Sequence, residues 1–163
     1  RDRQRWLFDT VVGWTPLPQD LPKLKLMANV DYGVEERLGS PLSGPGAAGG
    51  TTGEGGPSDW IGYALYAQYA LTDKVTLAAR WEQFYDDHAV RTGALGAGNP
   101  VDELYEMTYT IDYKVWDNLL TRLEYRYDRA NETSDLLDFN GPFDQGTEDD
   151  QSTILWSWIY LFG

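Results

Sequence analysis

Cysteine is absent from the 163 residues, which excludes disulfides and thiolate metal sites together. A chain without thiols also crosses an oxidising compartment without mispairing. Basic residues are scarce: 13 Lys and Arg stand against 26 Asp and Glu, for a net charge of −13. Nucleic acids are therefore poor partners, because binding them needs clustered Lys and Arg. Long apolar runs are missing too, and none approaches the ~18 residues of a membrane helix. No EF-hand spacing, phosphate loop or zinc motif occurs, and nothing in the chain calls for a cofactor or a metal. No apolar stretch follows the charged residues between Arg1 and Arg5. Either a secretory leader has been removed or the chain begins inside a longer protein.

What is present is aromatic and alternating. Aromatics make up 14% of the chain, with 7 Trp and 11 Tyr against 5 Phe. Trp and Tyr suit a membrane–water boundary, with the ring in hydrocarbon and the N–H or O–H among headgroups. The mean hydropathy of −0.49 resembles that of a soluble protein. An average hides the pattern, however, when each strand interleaves lipid-facing and water-facing residues.

The alternation has a period of two, the signature of strands with one apolar wall. Tyr105, Met107, Tyr109, Ile111, Tyr113 and Val115 fall on one face, and Glu106, Thr108, Thr110, Asp112 and Lys114 on the other. After the polar turn Trp116-Asp117-Asn118, Leu119, Leu123, Tyr125 and Tyr127 oppose Arg122, Glu124, Arg126 and Asp128. A second hairpin turns at Thr72-Asp73-Lys74. Ile61, Tyr63, Leu65, Ala67, Tyr69 and Leu71 lead in, and Val75, Leu77, Ala79, Trp81 and Tyr85 lead out, opposite Arg80, Glu82 and Asp86. Earlier, Leu24, Leu26, Ala28, Val30, Tyr32 and Val34 alternate with Lys25, Asn29, Asp31 and Glu35. Trp6, Phe8, Thr10, Val12 and Trp14 line a first strand that stops before Pro16 and Pro18. Ile154, Trp156, Trp158, Tyr160 and Phe162 line a last one.

These segments predict an all-β fold of about seven strands, each roughly ten residues or more. That is the length of a membrane strand, about 9–11 residues, rather than the 5–6 of a soluble one. The connections alternate in length. The short ones are 15–23, 72–74 and 116–118, and the long ones about 37–58, 87–102 and 129–152. Short turns on one side and long loops on the other are the plan of an antiparallel up-and-down transmembrane β-barrel. An aromatic closing strand that ends in the periplasm puts the long loops outside. The first visible strand then starts outside, whereas such barrels start inside with an even strand number. The expectation is that residues 1–163 are the C-terminal part of one barrel domain, with an odd number of strands upstream.

On that plan the pore-lining residues are Lys25, Asn29, Asp31, Glu35, Arg80, Glu82, Asp86, Glu106, Asp112, Lys114, Arg122, Glu124, Arg126 and Asp128. Their acidic excess predicts a mild cation preference. The plainer reading is a salt-bridge ladder that stiffens the wall. The lipid-facing aromatics are Trp6, Trp14, Tyr63, Tyr69, Trp81, Tyr85, Tyr105, Tyr113, Tyr125, Tyr127, Trp156, Trp158, Tyr160 and Phe162. Arg80-x-Glu82-x-x-Tyr85-Asp86 is echoed by Arg122-x-Glu124-x-x-Tyr127-Asp128, as hairpin duplication would produce.

Competing chemistry is weaker. His88, the single histidine, lies beside Asp86 and Asp87 without a second motif or a nucleophile nearby, so rim solvation outweighs general-base work. Glu35 and Glu36, adjacent on a strand, point to opposite faces and do not share a site. The acidic run from Glu132 to Asp150, which includes Asp149, reads first as a solvated loop. Its sharper reading is divalent-cation bridging to lipopolysaccharide. The aromatics share a wall with the aliphatics, strand after strand, which argues against the sugar-binding platforms of a soluble sandwich lectin.

Several of these segments resemble β-barrel porins of the porin-2, OmpL-like type. They are Arg5-Trp6-Leu7-Phe8-Asp9 leading to Trp14-Thr15-Pro16, Asn29-Val30-Asp31-Tyr32-Gly33-x-Glu35-Glu36, Leu71-Thr72-Asp73-Lys74, Arg80-x-Glu82-x-Phe84-x-Asp86, Arg91-Thr92-Gly93 and Asp117-Asn118-Leu119-Leu120-x-Arg122-x-Glu124-Tyr125-Arg126-x-Asp128. The resemblance covers nearly the whole chain and breaks at 38–58 and 132–150. It implies a longer protein with a signal peptide and further strands. It also implies a channel, without naming its solute; the expectation is a non-enzymatic porin for small hydrophilic solutes in a bacterial outer membrane, with lipid and lipopolysaccharide as neighbours and the oligomeric state, a homo-oligomer included, left open.

Overall fold

A computed structural model describes residues 5–16, 19, 21–36, 57–86, 101–132, 143–144 and 148–162. Among them there is no helix. Seven strands follow one another: β1 (Arg5–Trp14), β2 (Leu24–Glu36), β3 (Pro57–Ala70), β4 (Val75–Asp86), β5 (Val101–Trp116), β6 (Leu119–Glu132) and β7 (Asp150–Tyr160). They form a single antiparallel sheet in the order β1-β2-β3-β4-β5-β6-β7, so each strand pairs with its chain neighbour. The sheet is not closed. β1 and β7 are its edges, and both run in the same direction.

Strands of 10–16 residues are as long as the alternation predicted. Several reach further than expected into the long connections: β3 starts at Pro57, β5 at Val101 and β7 at Asp150, and β6 continues to Glu132. The hairpins turn where the polar triplets stand. At the β3–β4 turn, the Thr72 hydroxyl accepts hydrogen bonds from the backbone N–H groups of Lys74 (3.2 Å) and Val75 (2.9 Å). Such a Thr closes a tight turn without help from outside the loop. The β5–β6 turn is tighter, and Val115 drops out of the pairing as a bulge between the Lys114 and Trp116 rungs.

Register fixes the two faces, because residues paired directly across an antiparallel sheet point to the same side. One row runs Ala28, Leu65, Trp81, Met107, Tyr127 and Ser152; the next runs Asn29, Ala64, Glu82, Glu106, Asp128 and Gln151. The first belongs to an apolar face and the second to a polar one. Burial then runs opposite to that of a soluble protein. Among the described residues the buried hydrophobics are Ala64 and Ala130 alone, whereas Glu35, Asp86, Glu106, Thr108, Thr110 and Asp128 are buried on the polar face. The large side chains of the apolar face stand in the open, among them Trp156 at 67% exposed, Leu65 at 53% and Tyr109 at 51%. A sheet that crowds its charges and bares its Trp, Leu and Tyr is built for a hydrocarbon surround.

Candidate functional site: the polar face of the sheet

All fourteen residues expected to line a pore lie on the polar face: Lys25, Asn29, Asp31 and Glu35 on β2; Arg80, Glu82 and Asp86 on β4; Glu106, Asp112 and Lys114 on β5; and Arg122, Glu124, Arg126 and Asp128 on β6. Thirteen of the fourteen expected lipid-facing aromatics lie on the opposite face, within strands. Phe162 follows the end of β7, and its ring packs against Tyr160 at 4.8 Å.

The centre of the polar face is a charge cluster on β4, β5 and β6. Glu82, Glu106 and Asp128 stand side by side in one row. Like charges placed directly opposite destabilise a sheet. The next row answers them with Arg80 and Arg126, on either side of Thr108. Both guanidiniums converge on Glu106. Arg80 donates to one carboxylate oxygen, and Arg126 lies 2.9 Å from the other. Thr108 donates a third hydrogen bond to Glu106, at 2.7 Å. Arg126 also holds Asp128 at 2.7 Å, and Asp128 accepts from Gln151 of β7 at 3.1 Å. Arg80 reaches Glu82 at 3.6 Å.

Two smaller clusters flank the centre. Towards the short turns, Arg122 makes a forked pair with Asp112, Nε to Oδ1 at 2.7 Å and Nη2 to Oδ2 at 2.9 Å. Thr110 donates to Glu124 at 3.0 Å. Towards the β1 edge, Arg5 donates to Glu35 at 2.8 Å and Asn29 donates to Asp9 at 2.9 Å. Between these lies an open cavity of about 620 Å³, whose lining includes Lys25, Gln68, Arg80, Thr110, Arg122 and Glu124. At the β5–β6 turn, Lys114 lies 2.7 Å from the exposed Asp117. Its ammonium holds the Asp117 carboxyl below the usual carboxylate range.

Some features escaped the period-two reading. Arg5 and Asp9 join the polar face from β1. Trp60, Tyr66 and Phe84 also point to the polar face, against the expectation that the aromatics share the aliphatic wall. Conversely, Gln83 and Glu103 lie on the apolar face. There Gln83 and Tyr105 donate to Glu103 at 2.6 and 2.5 Å, Asn131 donates to it at 2.7 Å, and Tyr63 donates to Gln83 at 2.5 Å. Their signal was available in parity: each breaks the alternation of its own strand.

His88 and Asp87 lie outside the described residues, as does most of each long connection; the side chain of Glu36 lies outside them too. Asp149 and Asp150 are exposed. The first is 3.7 Å from Arg129, and the second accepts from Tyr127 at 2.8 Å. Among the described residues no three His, Cys, Asp or Glu side chains gather as metal ligands would.

An open, all-antiparallel sheet with an apolar outside and a charged inside defines a membrane β-barrel wall. A family model described as "Putative beta-barrel porin-2, OmpL-like" matches residues 1–162, and the chain belongs to that family. No curated protein and no solved structure matches it.

Proposed function

We propose that the chain forms the wall of a passive diffusion pore for small hydrophilic solutes in a bacterial outer membrane, with a weak preference for cations. The observation that carries this reading is the inverted burial of the two faces, with charge inside and Trp, Tyr, Leu and Ile outside. The apolar face meets lipid and lipopolysaccharide over a band about 25 Å tall. Polar-face charges stay hydrated in an open lumen and set a transverse field that sorts solutes by charge. Paired ions such as Arg122 and Asp112 stiffen the wall and contribute little net field, so selectivity comes from the acidic surplus. The barrel works without chemistry on its solutes.

The test is single-channel conductance of the full-length protein in a planar bilayer, with a salt gradient across it. Stable open steps, with a reversal potential displaced modestly towards that of the cation, are expected. Insertion without conductance would move the reading to a plugged barrel. A folded species that stays in buffer and never inserts would contradict the membrane reading itself.

A further inference from the structure

Three aromatic side chains interrupt the charged face, all on the neighbouring strands β3 and β4. Trp60 sits directly opposite Gly33, Phe84 directly opposite Gly62, and Tyr66 directly opposite Arg80. They therefore descend the wall in order, from the long-loop end towards the short turns. From Trp60 to Tyr66 is six residues, roughly 20 Å along a strand.

Two of the rings pack over glycines. A Cβ added to Gly33 would overlap the Trp60 indole, and one added to Gly62 would come within 3.3 Å of the Phe84 ring. Each ring thus occupies the space above a glycine across the strand. None of the three is fully buried, so part of each stays open to the polar side. Trp60 and Phe84 touch, with centroids 5.6 Å apart and planes tilted by 37°. Below them, the Tyr66 hydroxyl donates to Glu82 at 3.4 Å. Beside the track on β4 stand Arg80 and Glu82, and further across the sheet, on β5 and β6, the ion-paired Arg126 with the buried Glu106 and Asp128.

We infer that this track binds neutral oligosaccharides as they pass, an inference that rests on the pore reading above and names its solute class. A pyranose ring has an apolar C–H face and a rim of hydroxyls that both donate and accept. An aromatic plate matches the face. Arginines beside carboxylates match the rim, with donors and acceptors alternating. A charged solute would gain from one sign and lose to the other along the same path. The track is longer than one sugar ring, so a chain of several engages successive plates, and many weak contacts give a hold brief enough for release.

The probe is maltohexaose, added to the full-length protein conducting in a planar bilayer. Concentration-dependent interruptions of the ion current are expected, with residence times falling about tenfold in Trp60→Ala. Where that variant does not insert, Phe84→Leu carries the test. It keeps an apolar cover over Gly62 while removing the plate, and a similar shortening is expected. A channel that conducts but is never interrupted by maltohexaose, or is interrupted equally in the variants, overturns the inference and leaves the pore reading in place. Absence of any current from the parent protein overturns the pore reading, and the inference with it.

Discussion

Along β5 the two faces of one strand follow opposite rules. Glu106, Thr108 and Thr110 are 8%, 5% and 9% exposed, while their neighbours Met107, Tyr109 and Ile111 are 41%, 51% and 48% exposed. In a soluble sheet the apolar residues are the covered ones. The backbone is the same on both sides, so the difference is one of solvent. The apolar face has no protein partner among the described residues, as expected of the lipid-facing wall of a membrane β-barrel. The polar face is crowded because its charges pair with one another across neighbouring strands. The apolar wall asks only for greasy surface of the right height. The polar wall asks for matched pairs at fixed register.

The sharpest way to break this contrast is a charge placed on each wall at the same height. Ala67 and Gln68 are neighbours on β3 and point to opposite faces. Ala67→Arg is expected to destabilise the barrel by about 2–4 kcal/mol, the cost of an arginine in the middle of the bilayer, while Gln68→Glu, directly opposite Lys25 on the polar face, costs about nothing. Reversible unfolding in lipid vesicles measures both, and equal costs would contradict the assignment of faces.

Next in size is the centre of the polar wall. Glu106→Ala removes the carboxylate on which Arg80 and Arg126 converge, and about 2 kcal/mol of stability is expected to go with it. The reversal potential in a salt gradient should also shift away from cations. Gly33→Ala tests packing on the same wall. The added methyl must displace the Trp60 indole, at an expected cost of about 1–3 kcal/mol.

The smallest effect concerns the exposed Asp117–Lys114 pair at the turn. A carboxyl held below its ordinary value contributes stability that is present above the unfolded value and lost as pH falls through the folded one. Chemical-shift titration should therefore find Asp117 protonating at lower pH than an isolated aspartate. Its titration should return to the ordinary range in Lys114→Gln, with hardly any change in melting.

How far could the chain be read without its fold? Strand number, hairpin order and the face of each of the fourteen polar residues assigned to the lining were legible, because period-two alternation survives any choice of partner. The pairings were not. The echo of Arg80-x-Glu82 in Arg122-x-Glu124 suggests residues at one height, yet Arg80 is level with Arg126, and Arg122 stands opposite Asp112. That offset depends on turn length and on the bulge at Val115, which alternation does not encode. Two further exceptions needed the third dimension. Trp60 and Phe84 fall on the polar face by register, where the glycines opposite them leave room for their rings. Glu103 sits on the apolar wall because Gln83, Tyr105 and Asn131, from three strands, all donate to it.

The central claim is that the polar face meets water and the apolar face meets lipid. The absence of cysteine from these 163 residues makes it directly testable, since an introduced thiol has no rival among them. Single cysteines at Thr121, Arg122, Leu123, Glu124, Tyr125 and Arg126 of β6, in the membrane-inserted full-length protein, would be exposed to a water-soluble thiol reagent. Alternation is expected, with positions 122, 124 and 126 labelled quickly and 121, 123 and 125 protected. Uniform labelling along the strand, or the reverse alternation, would contradict it.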